Sequence, residues 1–469
     1  MKILLLVPSA GAAFSQVPDR FKELSLGYYP PLGPMYLASY IEKFSTHKPE
    51  ILDMELEKTT PDDLRNKIMQ DDIKTIGIYT TSFTINNVYK IVRSIKEVNK
   101  NITIILGGPH IDIYYEETAS LPGVDYVVLG EGEIILKELL DCLEKGEEPS
   151  TIKGIAYKKD GKINFIGKQP LFENLDELPF PARHLTHYNK YYSIIGKNDV
   201  ATSIMASRGC PYRCNFCFIQ YEGKYRMRSV ENIINEIKEC ITLGITEFLF
   251  FDEAFTINKK RVIAFCDEVI RQKLKITFEI RSRINNIDDE MLQKIKQAGC
   301  SRIQFGVENA SDEILIAMNK KITLTEIIKV INATKKTGID IFLDFMLGYP
   351  GETKEQINKT MKFAQKMNPD YVQFAITVLS PGTKIYEDAL KTGFLKTDFW
   401  REVAKNPPDK ILPPFASDKF KRQEMEQFLR KSYLKFYFRP RYIIKRLFKL
   451  ISFTEFKRQV KAAYQLLFS

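Results

Sequence analysis

Residues 207–217 read SRGCPYRCNFC and place Cys210, Cys214 and Cys217 at spacings of four and three in a chain with seven cysteines. Thiolates at this density bind zinc or iron–sulfur. A structural zinc site wants a fourth Cys or His at finger-like spacing, and none of the four histidines, His47, His110, His184 and His187, pairs with the loop in that way. A 4Fe-4S cluster held by three cysteines instead leaves one iron without a protein ligand, free to hold a substrate or cofactor. The other four cysteines, Cys142, Cys240, Cys266 and Cys300, are scattered and the total is odd, which is not a disulfide framework. A reducing, cytoplasmic setting is expected.

The elements that must position this loop are legible as short apolar runs alternating with helical stretches. At 469 residues the chain exceeds one ordinary core. Over residues 1–150, KILLLV, EILDMEL, TIGIYT, ITIILGG and DYVVLG read as strands buried on both faces between helices, the pattern of a doubly wound parallel sheet. Their ends carry small or polar residues, and ligands of such sheets sit beyond the carboxyl ends of the strands. Residues 151–195 read as a linker with a hairpin around Asp160-Gly161. Residues 196–390 resume the alternation in six strand-like runs, which predicts a partial (β/α)6 barrel whose strands end in Cys210, Asp252-Glu253, Arg281, Glu308 and Gly348. Residues 391–469 read as a helical, basic segment.

With the loop placed after the first barrel strand and Phe216 before its third cysteine, C-x3-C-x2-C resembles the radical S-adenosylmethionine enzymes. The resemblance implies that Cys210, Cys214 and Cys217 hold a 4Fe-4S cluster whose open iron chelates S-adenosylmethionine, cleaved on reduction to a 5′-deoxyadenosyl radical. FFDEAF (250–255) resembles the family's second-strand segment, where Asp252 or Glu253 would accept from the methionine amino group; the family's usual Gly-Gly-Glu is missing. By the same resemblance, Glu308 of QFGVEN stands where the family contacts the ribose or methionyl moiety, FMLGYPGET resembles the fifth-strand glycine segment that puts Gly348 near adenine, and Arg281 of FEIRSR would face the carboxylate or sulfonium region. The bland reading of each is a loop cap or internal salt bridge, and it extends to Arg283.

The first domain is similar to the cobalamin-binding domain carried by one subfamily, with PPLGPMYLASYI, ILDM, GGPH and VVLGEGE in the expected order. The candidate cobalamin residues are Ser9, Gly33, Asp53, Thr81, Ser82, Gly107, Gly108, His110, Gly130, Glu131 and Gly132, the glycines giving a large planar ring close approach to backbone. No Asp-x-His-x-x-Gly occurs, so the cobalt is expected to lack a histidine ligand, and His110 is read as a tail or loop contact.

Rival classes are set aside on the residues. No Gly-Lys pair is followed by Ser or Thr, and no G-x-G-x-x-G occurs, which disfavours a P-loop or dinucleotide fold. Radical methylthiotransferases carry three further cysteines in their first domain, whereas this one has only Cys142. The apolar run Ile3–Val7 ends at Pro8, too short for a signal peptide and better read as a buried strand. The net charge of +10 is local: from Lys391 onward 19 Lys and Arg face 7 Asp and Glu, so the first 390 residues sum to −2. That argues for a local anionic partner rather than nucleic acid. The aromatic, basic C-terminal segment either packs on the barrel or lies on an anionic membrane surface. The membrane reading implies a lipid or isoprenoid substrate, as for relatives in hopanoid, tetraether-lipid and bacteriochlorophyll synthesis.

The expected function is therefore cobalamin-dependent methyl transfer to an unactivated carbon of a small molecule or lipid, driven by a low-potential donor such as a flavodoxin or ferredoxin. Radical cyclisation or oxidation, a first domain that serves only as a substrate module, and a non-enzymatic corrinoid sensor are the alternatives.

Overall fold

The computed structural model describes residues 1–9, 27–218 and 223–449. They divide into two compact units, residues 1–9, 30–190 and 395–412 in the first and 27–29, 191–394 and 413–449 in the second. The elements run β1 (Lys2–Val7), β2 (Gly27–Tyr28), α1 (Leu32–Phe44), β3 (Lys48–Asp53), α2 (Met54–Glu57), α3 (Pro61–Gln70), β4 (Thr75–Tyr79), α4 (Ile85–Val98) and β5 (Thr103–Gly107). Next come α5 (Ile111–Ala119), β6 (Tyr126–Val128), α6 (Gly132–Lys145), β7 (Ile155–Lys159), β8 (Lys162–Phe165), β9 (Tyr192–Ser193), β10 (Thr202–Ile204), β11 (Ser207–Arg208), β12 (Arg226–Met227), α7 (Val230–Thr242) and β13 (Glu247–Phe250). The chain continues with α8 (Lys259–Arg271), β14 (Thr277–Ser282), α9 (Asp289–Gln297), β15 (Cys300–Glu308), α10 (Asp312–Ala317), α11 (Leu324–Thr337), β16 (Asp340–Leu347), α12 (Lys354–Met367) and β17 (Tyr371–Ile376). Four helices follow: α13 (Lys384–Lys391), α14 (Phe399–Lys405), α15 (Arg422–Tyr437) and α16 (Pro440–Lys449).

The first unit is the expected doubly wound sheet, in the order β3-β1-β4-β5-β6-β7-β8. The five strands from β3 to β6 are parallel. The order reverses between β1 and β4, and the carboxyl ends of those strands flank the crevice where such folds bind ligands. Residues Ile3–Leu6 are all buried because helices cover both faces. On one face Ala38 and Ile41 of α1 and Ile135 and Leu139 of α6 pack on Ile3, Leu5 and Ile105.

Two boundaries differ from the sequence expectation. The hairpin expected in a linker is present, but β7 pairs antiparallel with β6 and β8 with β7, so it widens the first sheet. Residues 395–412 pack on the first unit, where Trp400 meets Phe83 edge-on at 5.1 Å and Asn86 donates to the Asp409 carbonyl at 3.0 Å.

The second unit holds the expected partial barrel, a six-stranded parallel sheet in the order β10-β13-β14-β15-β16-β17. Phe250, Phe255, Phe265 and Phe278 interlock behind its first strands. Helices start and stop where local chemistry dictates: Thr323 and Glu326 form a capping box on α11, which ends at Gly338 in the left-handed region. Thr353 and Gln356 cap α12 in the same way. The free edge of β17 is closed by side chains. The Tyr433 hydroxyl donates to the Phe374 carbonyl and accepts from its N–H, at 2.9 and 3.1 Å, and Tyr437 does the same for Val372 at 2.8 and 3.0 Å. This satisfies main-chain groups that an open edge would leave exposed to pairing.

Residues 391–449 carry helices α14, α15 and α16 joined by loops, with Phe415 of the longest loop in an isolated bridge to Val378 just past β17. Residues 450–469 of the basic segment lie outside the described residues. No helix among the described residues is long and apolar enough to cross a membrane.

Candidate functional site

The cysteine loop is pinned at its root before any cysteine appears. Strand β11 pairs antiparallel with β12, closing the loop's base. Gly209 has φ +86°, and a Cβ there would lie 2.0 Å from the Lys224 carbonyl oxygen, so only glycine fits. Asp252, fully buried, accepts from the Ala206 N–H at 2.8 Å and from the Ser207 hydroxyl, with Arg261 at 3.5 Å. Arg261 also donates to the carbonyls of Ala206 and Phe255, at 2.8 and 2.9 Å. Arg228, paired with buried Glu236, holds the Met205 carbonyl at 3.1 Å.

On this base Cys210 is partly buried, Cys214 buried and Cys217 exposed. The Cys217 thiol donates to Cys214, which with the nearby charges of Lys320 and Arg283 brings the Cys214 thiol down to about 6, while Cys217 as donor is pushed up. Burial raises the Cys210 thiol. Three thiols on one short loop are a donor set that a four-iron cube can take at three corners.

The other predicted residues stand at the carboxyl ends of successive strands. Glu253 reaches solvent, yet lost hydration is the largest influence on its carboxyl, as for a group lining a recess. That and Asp252 raise it, against the opposing Gly209 N–H and Arg281 charge. Arg281 lies over the Phe251 ring at 4.6 Å. Glu308, at φ +68°, follows a register shift between β15 and β16 and pairs with buried Lys320 at 2.7 Å. Lys320 in turn sits 5.5 Å from the centroid of Phe216. The structure thus joins Cys210 with Glu253 and Arg281 on one side, and Cys214, Cys217 and Phe216 with Lys320 and Glu308 on the other.

Gly348 is held one step further off. Its N–H donates to buried Glu352 at 2.6 Å, and Asn309, next to Glu308, donates to the same carboxylate at 2.6 Å. Nothing in residue type or spacing singles out Lys320, Glu352 or Tyr212; Lys320 is fixed between Asn319 and Lys321, both with positive φ. Further along the strands the interior is polar. Arg302 pairs with Glu279 at 2.6 Å, and the Gln304 amide donates to Asp344 at 2.8 and 3.0 Å. Burial, then the Glu308 charge, pushes Asp344 up to about 7, and burial, joined by the Glu247 and Asp340 charges, outweighs Arg302 to bring Glu279 up to about 7.

In the first unit the predicted residues gather at the carboxyl edge of the sheet but divide by role. Asp53 caps α2 through the N–H groups of Glu55 and Leu56, the Ser9 hydroxyl donates to Glu55, and buried Glu131 accepts from the Phe172 N–H at 2.9 Å. Thr81 bonds Thr84 at 2.9 Å. A Cβ at Gly108 would meet the Thr80 carbonyl oxygen at 2.7 Å, and one at Gly132 would meet Leu37 at 3.2 Å, so these glycines serve packing; Gly107 has ordinary contacts. At Gly33 and Gly130, by contrast, no described residue comes within 4 Å of a built Cβ. His110 is fully buried, with Nδ1 at 2.9 Å from the Ser82 hydroxyl and Nε2 without a partner among the described residues. An orphaned buried ring nitrogen and open glycines along the carboxyl edge of the sheet fit a large ligand there.

A partial barrel with three thiols on its first loop thus follows a doubly wound domain in the same chain. The Radical SAM superfamily model matches residues 204–364, and the B12 binding domain model residues 24–140. The chain is 36% identical over 453 residues to an uncharacterized methyltransferase of Pyrococcus horikoshii, covering 96% of this chain and 95% of that one. It is 28% identical over 397 residues to the anaerobic magnesium-protoporphyrin IX monomethyl ester cyclase of Rubrivivax gelatinosus, covering 83% and 70%. The solved structure of OxsB, a cobalamin-dependent S-adenosylmethionine radical enzyme with aqua-cobalamin and S-adenosylmethionine bound, superposes with a TM-score of 0.72 at 18% identity, over 99% of this chain and 72% of that one. The protein belongs to the radical SAM enzymes that carry a B12-binding domain.

Proposed function

We propose that the protein transfers a methyl group to an unactivated carbon, with a 4Fe-4S cluster and S-adenosylmethionine on the second unit and cobalamin on the first. When bound, the cluster would supply the electron that splits S-adenosylmethionine into methionine and a 5′-deoxyadenosyl radical able to abstract hydrogen, and cobalamin would supply a methyl group taken from a second S-adenosylmethionine, which leaves as S-adenosylhomocysteine. The observation that carries the reading is the three-thiol loop, clamped at its root by Asp252, Arg261 and Arg228 and opening toward strand ends that bear Glu253, Arg281 and Glu308.

In this reading Cys210, Cys214 and Cys217 are the cluster ligands. Glu253 accepts from the methionine amino group, because Asp252 already spends its oxygens on the loop root. Arg281 faces the carboxylate. Glu308 and Lys320, already hydrogen-bonded to each other, present a fixed polar pair to the ribose, and the glycine turn at Gly348 lets adenine approach backbone. Gly33, Gly130, Ser82 and His110 border the cobalamin tail. The polar barrel interior, with Gln304, Asp344 and Arg281, suits a substrate whose reacting end carries hydrogen-bonding groups. A lipid substrate is compatible only if its apolar part stays outside that interior. A low-potential donor of the flavodoxin or ferredoxin kind supplies the electron.

The test is anaerobic reconstitution with iron, sulfide and cobalamin, followed by reduction with S-adenosylmethionine carrying a deuterated methyl group. Formation of 5′-deoxyadenosine, its loss in Cys214→Ala, and corrin absorbance retained on the protein are expected. Absence of corrin uptake would sink the methylation mechanism, and no 5′-deoxyadenosine from the reduced, cluster-loaded protein would reduce the chain to a corrinoid sensor. A product that gains no labelled methyl group would point to cyclisation or oxidation.

A further inference from the structure

Arg283 lies one residue past β14 and is buried, 7% exposed. Its guanidinium is held from several directions. Nη1 donates to Cys214 Sγ at 3.2 Å, Nη2 to the Lys320 carbonyl and Nε to Asn285 Oδ1 at 3.4 Å. The group lies 3.9 Å from the centroid of the Tyr212 ring, whose hydroxyl donates to Asn286 at 2.5 Å. Three other buried arginines of this unit, Arg228, Arg261 and Arg302, each pair with a carboxylate. Arg283 has no carboxylate partner among the described residues. A buried cation without an anion is costly, and the acceptor it reaches that can carry negative charge is the Cys214 sulfur.

We infer that Arg283 is a positioning residue that sets the reduction potential of the cluster on Cys210, Cys214 and Cys217, by fixing a positive charge and a hydrogen bond on the Cys214 sulfur. The inference rests on the cluster reading above. Reduction brings one electron from an external low-potential donor to the cluster, with no bond made or broken and no proton moved. The added negative charge is stabilised by the guanidinium, so Arg283 raises the potential and its loss lowers it. Tyr212 keeps the guanidinium plane aligned on the sulfur.

The full chain is reconstituted anaerobically with iron and sulfide, without S-adenosylmethionine, and titrated with dithionite while the paramagnetic signal of the reduced cluster is followed. Wild type, Arg283→Gln, Arg283→Lys and Tyr212→Leu are compared at measured iron and sulfide content. Arg283→Gln is expected to shift the reduction equilibrium at least tenfold toward the oxidised cluster, about 59 mV for one electron. Arg283→Lys restores part of the shift, and Tyr212→Leu produces a smaller one in the same direction. An unchanged midpoint in Arg283→Gln at full cluster content overturns the inference and leaves the cluster reading intact. If Arg283→Gln fails to load, unchanged midpoints in the other two variants overturn it equally. Cluster loss in all three variants also overturns it, because the arginine would then serve assembly. Wild type that takes up no cluster refutes the reading on which the inference rests.

Discussion

Asp252 and Glu253 are neighbours in sequence with opposite situations, and exchanging each for its amide separates a loop clamp from a ligand contact. Asp252→Asn keeps the shape but replaces one acceptor oxygen by a donor. Whichever way the amide turns, it opposes an existing donor: the Ala206 N–H on one oxygen, the Ser207 hydroxyl and Arg261 on the other. It also leaves Arg261 buried with only carbonyl partners. Breaking a buried charge pair in this way costs about 3 to 5 kcal/mol. For a unit of about 240 residues each kcal/mol moves Tm by about 2–4 °C, so scanning calorimetry should show a drop of roughly 6–20 °C in the second unit. Glu253→Gln, on an accessible side chain, should leave Tm within about 2 °C while reducing S-adenosylmethionine cleavage by the reconstituted protein. An Asp252→Asn protein with unaltered Tm, or a Glu253→Gln protein with full cleavage, would refute the division of roles.

Three further outcomes are expected. Burial holds the His110 ring down to about 3, below the usual 6.5, so its contribution to stability is complete above pH 6.5 and is lost as pH falls from there toward 3. Denaturant unfolding of wild type should lose about 1.4 kcal/mol per pH unit in that window relative to His110→Gln. Tyr433→Phe combined with Tyr437→Phe strands two N–H and two carbonyl groups of β17; urea melts should show a loss of roughly 2–5 kcal/mol. On α16, Ile443 and Ile444 are 42% and 55% exposed beside Arg441 and Lys445. If this helix docks on anionic membranes, exchanging both for Asp should abolish cosedimentation with phosphatidylglycerol vesicles and spare cosedimentation-independent properties such as cluster content.

Much of the fold was legible because parallel strands buried on both faces must be short continuous apolar runs, and KILLLV, ITIILGG and YVQFAI are such runs. The cysteine loop was legible because its chemistry is compressed into eight residues. What escaped depends on distances that sequence separation hides. Lys320 reaches Phe216 across about a hundred residues, and Arg283 reaches Cys214 across 69. The choice between Asp252 and Glu253 turns on which of two adjacent side chains faces the loop root, which a change of strand register would reverse. The hairpin Ile155–Phe165 was seen locally, but its membership of the first sheet is a matter of pairing partner, and turn residues do not specify one. The left-handed backbone at Glu308 follows from the register shift beside it, which no residue type announces.

The hydroxyl-capped edge of β17 has a consequence for observation. Interior sheet amides are locked by a neighbouring strand and exchange with solvent only when the sheet itself opens. Those of Val372 and Phe374 are locked by a helix instead, and become free whenever α15 lifts away. In deuterium labelling these two amides should lose protection before their counterparts in β16, giving a residue-level gauge of how often the barrel's last wall comes undone.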